Sequence, residues 1–140
     1  DFRVESQANT HMIFVDADQN KVALGTNNPK ADITLSGSIA LSYSGSVKTS
    51  PYSVGTADRF IGFDTAAGHI TASLPPSANT QGFIVTFKDN AGHANANHIV
   101  IEPNGSDKID RLARAKIQSV SGSMTIISDG VDNWMIVGIV

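Results

Sequence analysis

Cysteine is absent from the 140 residues, which removes disulfides, thiolate metal sites and thiol nucleophiles together and is compatible with a reducing compartment. Charge is sparse and nearly balanced, with 13 acidic against 10 basic residues. The one local group of cations, Arg111, Arg114 and Lys116, is too thin for the basic groove that nucleic acid or an anionic membrane requires. No apolar run is long enough to span a bilayer, and no basic-then-apolar leader opens the chain. Neither nucleic-acid binding nor membrane insertion is therefore expected. The helix formers Leu, Glu, Lys and Arg are few, while Gly, Ser, Thr, Asn and Asp abound, which predicts many short strands, tight turns and almost no helix. The chain opens on Asp1 rather than Met and reads as part of something longer.

What is present is concentrated at the C-terminal end. From Ser123 to Val140 two apolar runs flank Asp129-Gly130-Val131-Asp132-Asn133, a cluster suited to positive φ and side-chain-to-backbone hydrogen bonds, so the segment reads as a hairpin. It holds the only tryptophan, Trp134, which is expected in the core rather than at a surface. The last run, Met135 to Val140, does not alternate with polar residues, so both of its faces need cover.

Earlier in the chain, Phe2 to Glu5, Met12 to Val15 and Val22 to Leu24 read as strands, the last two joined by a hairpin turn over Asp16 to Lys21. Ile33 to Leu35 and Ile39 to Leu41 follow as further short strands. So few strands cannot bury their own apolar face, and residues 1–41 are expected to share a core with other chains. Residues 42–56 turn to Ser, Gly, Tyr and Pro and read as a linker or wrapping segment. Residues 57–140 then show strands at regular spacing, at Arg59 to Phe63, His69 to Leu74, Phe83 to Lys88, His98 to Glu102 and Ala115 to Val120. With the closing hairpin, this is the pattern of a β-sandwich of jelly-roll-like kind. Asp107 to Lys116 has helical spacing without caps and is expected as a turn or irregular strand.

Val22-Ala23-Leu24-Gly25-Thr26-Asn27-Asn28-Pro29, with Ile33, Leu35 and Gly37 after it, resembles a shaft motif of bacteriophage tail-fibre and related virion proteins. Ala23 stands where that motif usually has glycine. Residues from Asp58 onward, including ITASLPPSANTQGFIVTFKDNAG and SMTIISDGVDNWMIVG, are similar to small β domains near the ends of phage fibres and spikes. The resemblance implies a homotrimer, intertwined in a shaft and packed side by side in a terminal knob, that recognises a host-surface glycan or other receptor and joins other virion proteins. In such a trimer Ile33, Leu35, Ile39, Leu41, Met135 and Val137 are the expected interface residues. The rival expectations are a fragment of a polysaccharide-depolymerising tailspike and a capsid or baseplate decoration protein with no receptor of its own.

Site chemistry is thin. Asp16-Ala17-Asp18-Gln19-Asn20 opens like a calcium loop, but Lys21 and Asn27 occupy positions that need glycine and glutamate, so a hairpin turn is expected there. His93 and His98 flank Ala94-Asn95-Ala96-Asn97 without further ligands beside them, so no metal and no cofactor are expected. The aspartates fall in turn contexts, no Gly-x-Ser-x-Gly elbow is present, and no enzyme is expected. For a glycan, the candidate contacts are Tyr43, Tyr52, His93, Asn95 and His98, with aromatic rings to stack on sugar and polar side chains to bond it.

Overall fold

Alternating apolar residues between turn-forming clusters yield an all-β chain in the computed structural model, which describes residues 2–8, 10–43 and 46–140, with the backbone alone for Phe2 and Arg3. Asn9, in the polar break after the first strand, and Ser44 and Gly45, in the expected linker, lie outside the described residues. The chain divides into two compact units, Asp1–Ala40 and Leu41–Val140.

The first unit is one four-stranded sheet made of β1 (Phe2–Val4), β2 (Ile13–Asp16), β3 (Lys21–Leu24) and β4 (Ile33–Leu35), paired in chain order. The turn from β2 to β3 forms as its chemistry dictates. Asp16 Oδ1 accepts the Gln19 N–H at 3.0 Å, and Asn20 adopts φ 56°. β4 returns parallel to β3 after Gly25, whose φ of 81° lets its N–H reach the His11 carbonyl at 2.9 Å. Ile39 to Leu41, expected as a strand, has no strand pairing. Gly37 and Ser38 carry the chain off the sheet after β4, so that backbone meets no ladder.

The second unit is a β-sandwich. One sheet has five strands in the order β10-β13-β12-β8-β6, and the other has four in the order β11-β9-β7-β5. These strands are β5 (Tyr52–Ser53), β6 (Phe60–Phe63), β7 (Ile70–Ser73), β8 (Ile84–Asp89), β9 (Ile99–Glu102), β10 (Lys108–Ile109), β11 (Ala115–Ile117), β12 (Ser123–Ser128) and β13 (Asn133–Ile139). From β5 to β12 every connection crosses from one sheet to the other. β5, β7 and β9 therefore run parallel in one sheet, as β6 and β8 do in the other. This is the winding of a solenoid rather than the antiparallel Greek keys of a jelly roll. Antiparallel β11 and the β12–β13 hairpin close it at one end.

The described residues of the expected linker, 42–43 and 46–56, belong to this second unit. Tyr43 and Lys48 make parallel bridges to Phe60 and Phe63, and Tyr52–Ser53 is itself a strand. The reason lies in the backbone: Lys48 N donates to Gly62 O and Asp64 N to Lys48 O, an open sheet edge satisfying its hydrogen bonds. The core collects the inward residues of both sheets, Ile61, Phe63, Val85, Phe87, Ile126 and Trp134 facing Ile70, Ile99, Ile101 and Ile117. Trp134 is fully buried and meets Phe83 edge to face at 6.0 Å.

The closing hairpin follows its expected turn. Asp129 Oδ1 accepts the N–H groups of Val131 at 2.8 Å and Asn133 at 3.1 Å. Those bonds, together with the Ser77 hydroxyl that also donates to Oδ1, hold the Asp129 carboxyl below the usual carboxylate range. Asp107 to Lys116 gives β10, then a turn in which Asp110 and Arg111 take positive φ, then the start of β11.

Candidate functional site

Two kinds of surface are candidates: unpartnered apolar faces, and one rim of the sandwich where histidines and aspartates gather. The registers define the first. In the sheet of the first unit, Val4, Ile13, Leu24 and Leu35 form one row across all four strands, and Val15, Val22 and Ile33 form the next. Residues paired in register project to the same side, so these seven aliphatic residues share one side of the sheet. None of the seven is buried, and Ile33 is 72% exposed. Among the described residues of the unit only Ala23 and Pro29 are buried.

The two outer faces of the sandwich differ in character. On the five-stranded sheet, Ile84, Ile127 and Met135 form a row, next to a row of Phe60, Thr86, Thr125 and Gly138. The charges these strands carry on that side are Lys88, whose ammonium bonds the Ser121 carbonyl, and Lys108 on the edge strand β10. Val137 stands at the bulge opposite Thr125 and Ile126, 60% exposed. The four-stranded sheet shows water Thr71, Ser73, Glu102, Arg114, Lys116 and Gln118, with Arg114 3.6 Å from Glu102. The expected interface residues therefore reach the surface: Ile33, Ile39, Leu41, Met135 and Val137 are exposed, and Leu35 is half-buried. Leu41 belongs to the second unit and lines a recess of 250 Å³ with Arg59, Phe83 and Ile84.

The expected glycan contacts do not form one group. Tyr43 is 48% exposed, its ring tilted against Phe60 at 5.6 Å. It lies over Gly62, where an added Cβ would stand 3.2 Å from its hydroxyl and 3.4 Å from Asn90 Oδ1. Tyr52, by contrast, is spent on structure. Its hydroxyl donates to Asp58 Oδ2 at 3.0 Å, and Asp58 also takes the Gly55 N–H, so the ring pins a turn. Burial, with the hydrogen bond and charge of Asp58, raises the Tyr52 pKa. Lys48 Nζ stands 4.6 Å over the same ring.

His93, Asn95 and His98 share the connection from β8 to β9. That connection is built on Asp89, a carboxylate 1% exposed that accepts the N–H groups of Gly92, His93, Ala94 and Ser121 at 2.9 to 3.3 Å. Burial alone pushes such a group up. The four backbone donors outweigh it and hold the Asp89 carboxyl below its usual range. His93 Nδ1 is 3.4 Å from Asp64 Oδ1, Asn95 is exposed, and His98 lies against His69 with ring centroids 4.9 Å apart. Sequence reasoning missed His69, Asn90 and Gln118. The available signal was positional, since His69 and His98 each precede the first residue of a strand, and β7 and β9 align Ile70 with Ile99. Among the described residues no group of three His, Cys, Asp or Glu is placed to hold a metal ion. No family model matches the chain, and no curated protein matches its sequence.

Proposed function

We propose that the chain is a structural and adhesive segment of a virion fibre or spike, assembled as a parallel homotrimer and presenting the sandwich to a host-surface glycan. The observation that carries the reading is the aliphatic side of the first unit's four-stranded sheet, in a unit with two buried residues among those described. A sheet needs a covered hydrophobic face to be stable in water. Copies of the same chain cover seven aliphatic residues without needing any charge to match, and symmetric association is the usual form of self-assembly. The contrast between the two outer faces of the sandwich supports the same arrangement, the five-stranded sheet turned toward sister chains and the four-stranded sheet toward water. Tyr43 and the exposed Asn95 remain the contacts offered to sugar, and three copies make weak sites multivalent.

Light scattering of the purified chain at micromolar concentration tests this reading. The expected mass is about three times the 14.7 kDa of one chain, and replacing Leu24 and Ile33 by Asp should return a monomer with its sandwich intact. A monomeric unsubstituted chain overturns the trimer. Cleavage of capsular polysaccharide would favour a depolymerising spike, and tight docking to virions with no glycan bound would favour a decoration protein.

A further inference from the structure

The histidine rim is a latch that needs one neutral imidazole. His69 Nδ1 accepts the backbone N–H of His98 at 2.7 Å, so that nitrogen bears no proton and the ring carries its proton on Nε2. His98 Nδ1 is 3.0 Å from the Ala94 carbonyl, which only accepts, so His98 holds its proton there. Its Nε2 meets Gln118 Nε2 at 3.1 Å. The two rings respond differently to acid. A proton on His98 Nε2 is met by turning the Gln118 amide to present its oxygen, whereas a proton on His69 Nδ1 confronts a backbone N–H that cannot turn.

We infer that proton uptake by His69 breaks its bond to the His98 amide, making this contact between the starts of β7 and β9 pH-sensitive. The groups facing the pair were weighed for sign. Positive charges on both His69 and His98, 4.9 Å apart by ring centroid, repel one another, and Lys116, two residues before Gln118 on β11, is a further cation on that sheet. His93 opposes the change, because its protonated form gains the Asp64 carboxylate, but that contact ties the first half of the loop. Asp89 holds that same half through Gly92, His93 and Ala94. The change is thus confined to the His98 amide itself, since residues 95–98 keep the Asn97 amide on the Thr65 carbonyl at 2.8 Å, the Ala96 and Asn97 N–H groups on the His93 carbonyl at 3.1 and 2.9 Å, and the Ile70 N–H on the His98 carbonyl at 3.1 Å. The sign is fixed by the bond: protection is present while His69 is neutral and is lost as pH falls.

Amide hydrogen exchange of the intact chain, corrected for intrinsic rates, tests the latch at about pH 7.5 and about pH 5, either side of imidazole titration. The His98 amide should lose roughly five- to tenfold in protection at the lower pH, the worth of one hydrogen bond, while the Ala94 amide on Asp89 keeps its protection. His69→Asn, which offers Oδ1 where Nδ1 stood and does not titrate, should hold His98 protected at both values. His69→Phe should leave it open at both, with Ala94 protection reporting that the fold is intact. Unchanged His98 protection in the unsubstituted chain, or the same loss in His69→Asn, overturns the inference.

Discussion

Asp89 shows how one side chain can organise two loops. Its carboxylate is buried yet depends on its charge, because four backbone N–H groups converge on it from the β8–β9 connection and the turn at Ser121. An asparagine of the same shape accepts at one atom and presents a donor at the other, so Asp89→Asn should cost about 2–3 kcal/mol. The folded pKa lies below the ordinary value, so the stabilisation is complete above the ordinary carboxylate range and is lost as pH falls through the folded value. Urea unfolding of both proteins at neutral pH and again in acid should show the gap between them closing in acid. Nothing in the sequence separates Asp89 from Asp64 or Asp132, because all three read as turn aspartates. Only the buried end of β8 gives Asp89 its role.

At the scale of the element, the β12–β13 hairpin was legible because its turn chemistry is local. Asp129, Gly130 and Asn133 do what their side chains dictate wherever they stand. Gly130 is required twice, by a φ of 80° and by Gln81, whose Cβ lies 2.5 Å from where an alanine methyl would go. Gly105 also has positive φ, at 54°, but open space around it. Gly105→Ala should therefore cost about 1 kcal/mol, and Gly130→Ala about 2–3 kcal/mol; thermal unfolding of the two variants side by side measures the difference. Which strands pair was not legible. The alternation of Ile99, Val100 and Ile101 fits any neighbour, parallel or antiparallel, so the pattern revealed strands and a sandwich but not the crossing from sheet to sheet. Tyr43 and Tyr52 were alike in sequence for a related reason: Asp58 and Gly62, which separate their fates, reach them only through the fold.

The whole molecule is two units with opposite balances. Leu41–Val140 surrounds a closed core of buried aliphatic and aromatic residues, while Asp1–Ala40 displays its aliphatic residues on an open side. Residues 41–140 prepared alone should unfold in one cooperative transition, and residues 1–40 alone should show no folded baseline, as circular dichroism during heating would record. A cooperative transition in the isolated first unit at low concentration would contradict its dependence on other chains. The winding of the sandwich has a consequence in time. Strands that lie side by side, such as β7 and β9, are a full coil apart along the chain, so each contact closes a long loop before it is rewarded. The β12–β13 hairpin is the pair in the sandwich that needs no such closure. It is the natural seed, with earlier coils laid against it in turn, so in a chain emerging from its N-terminal end the core begins to set only once residues 123–139 are available.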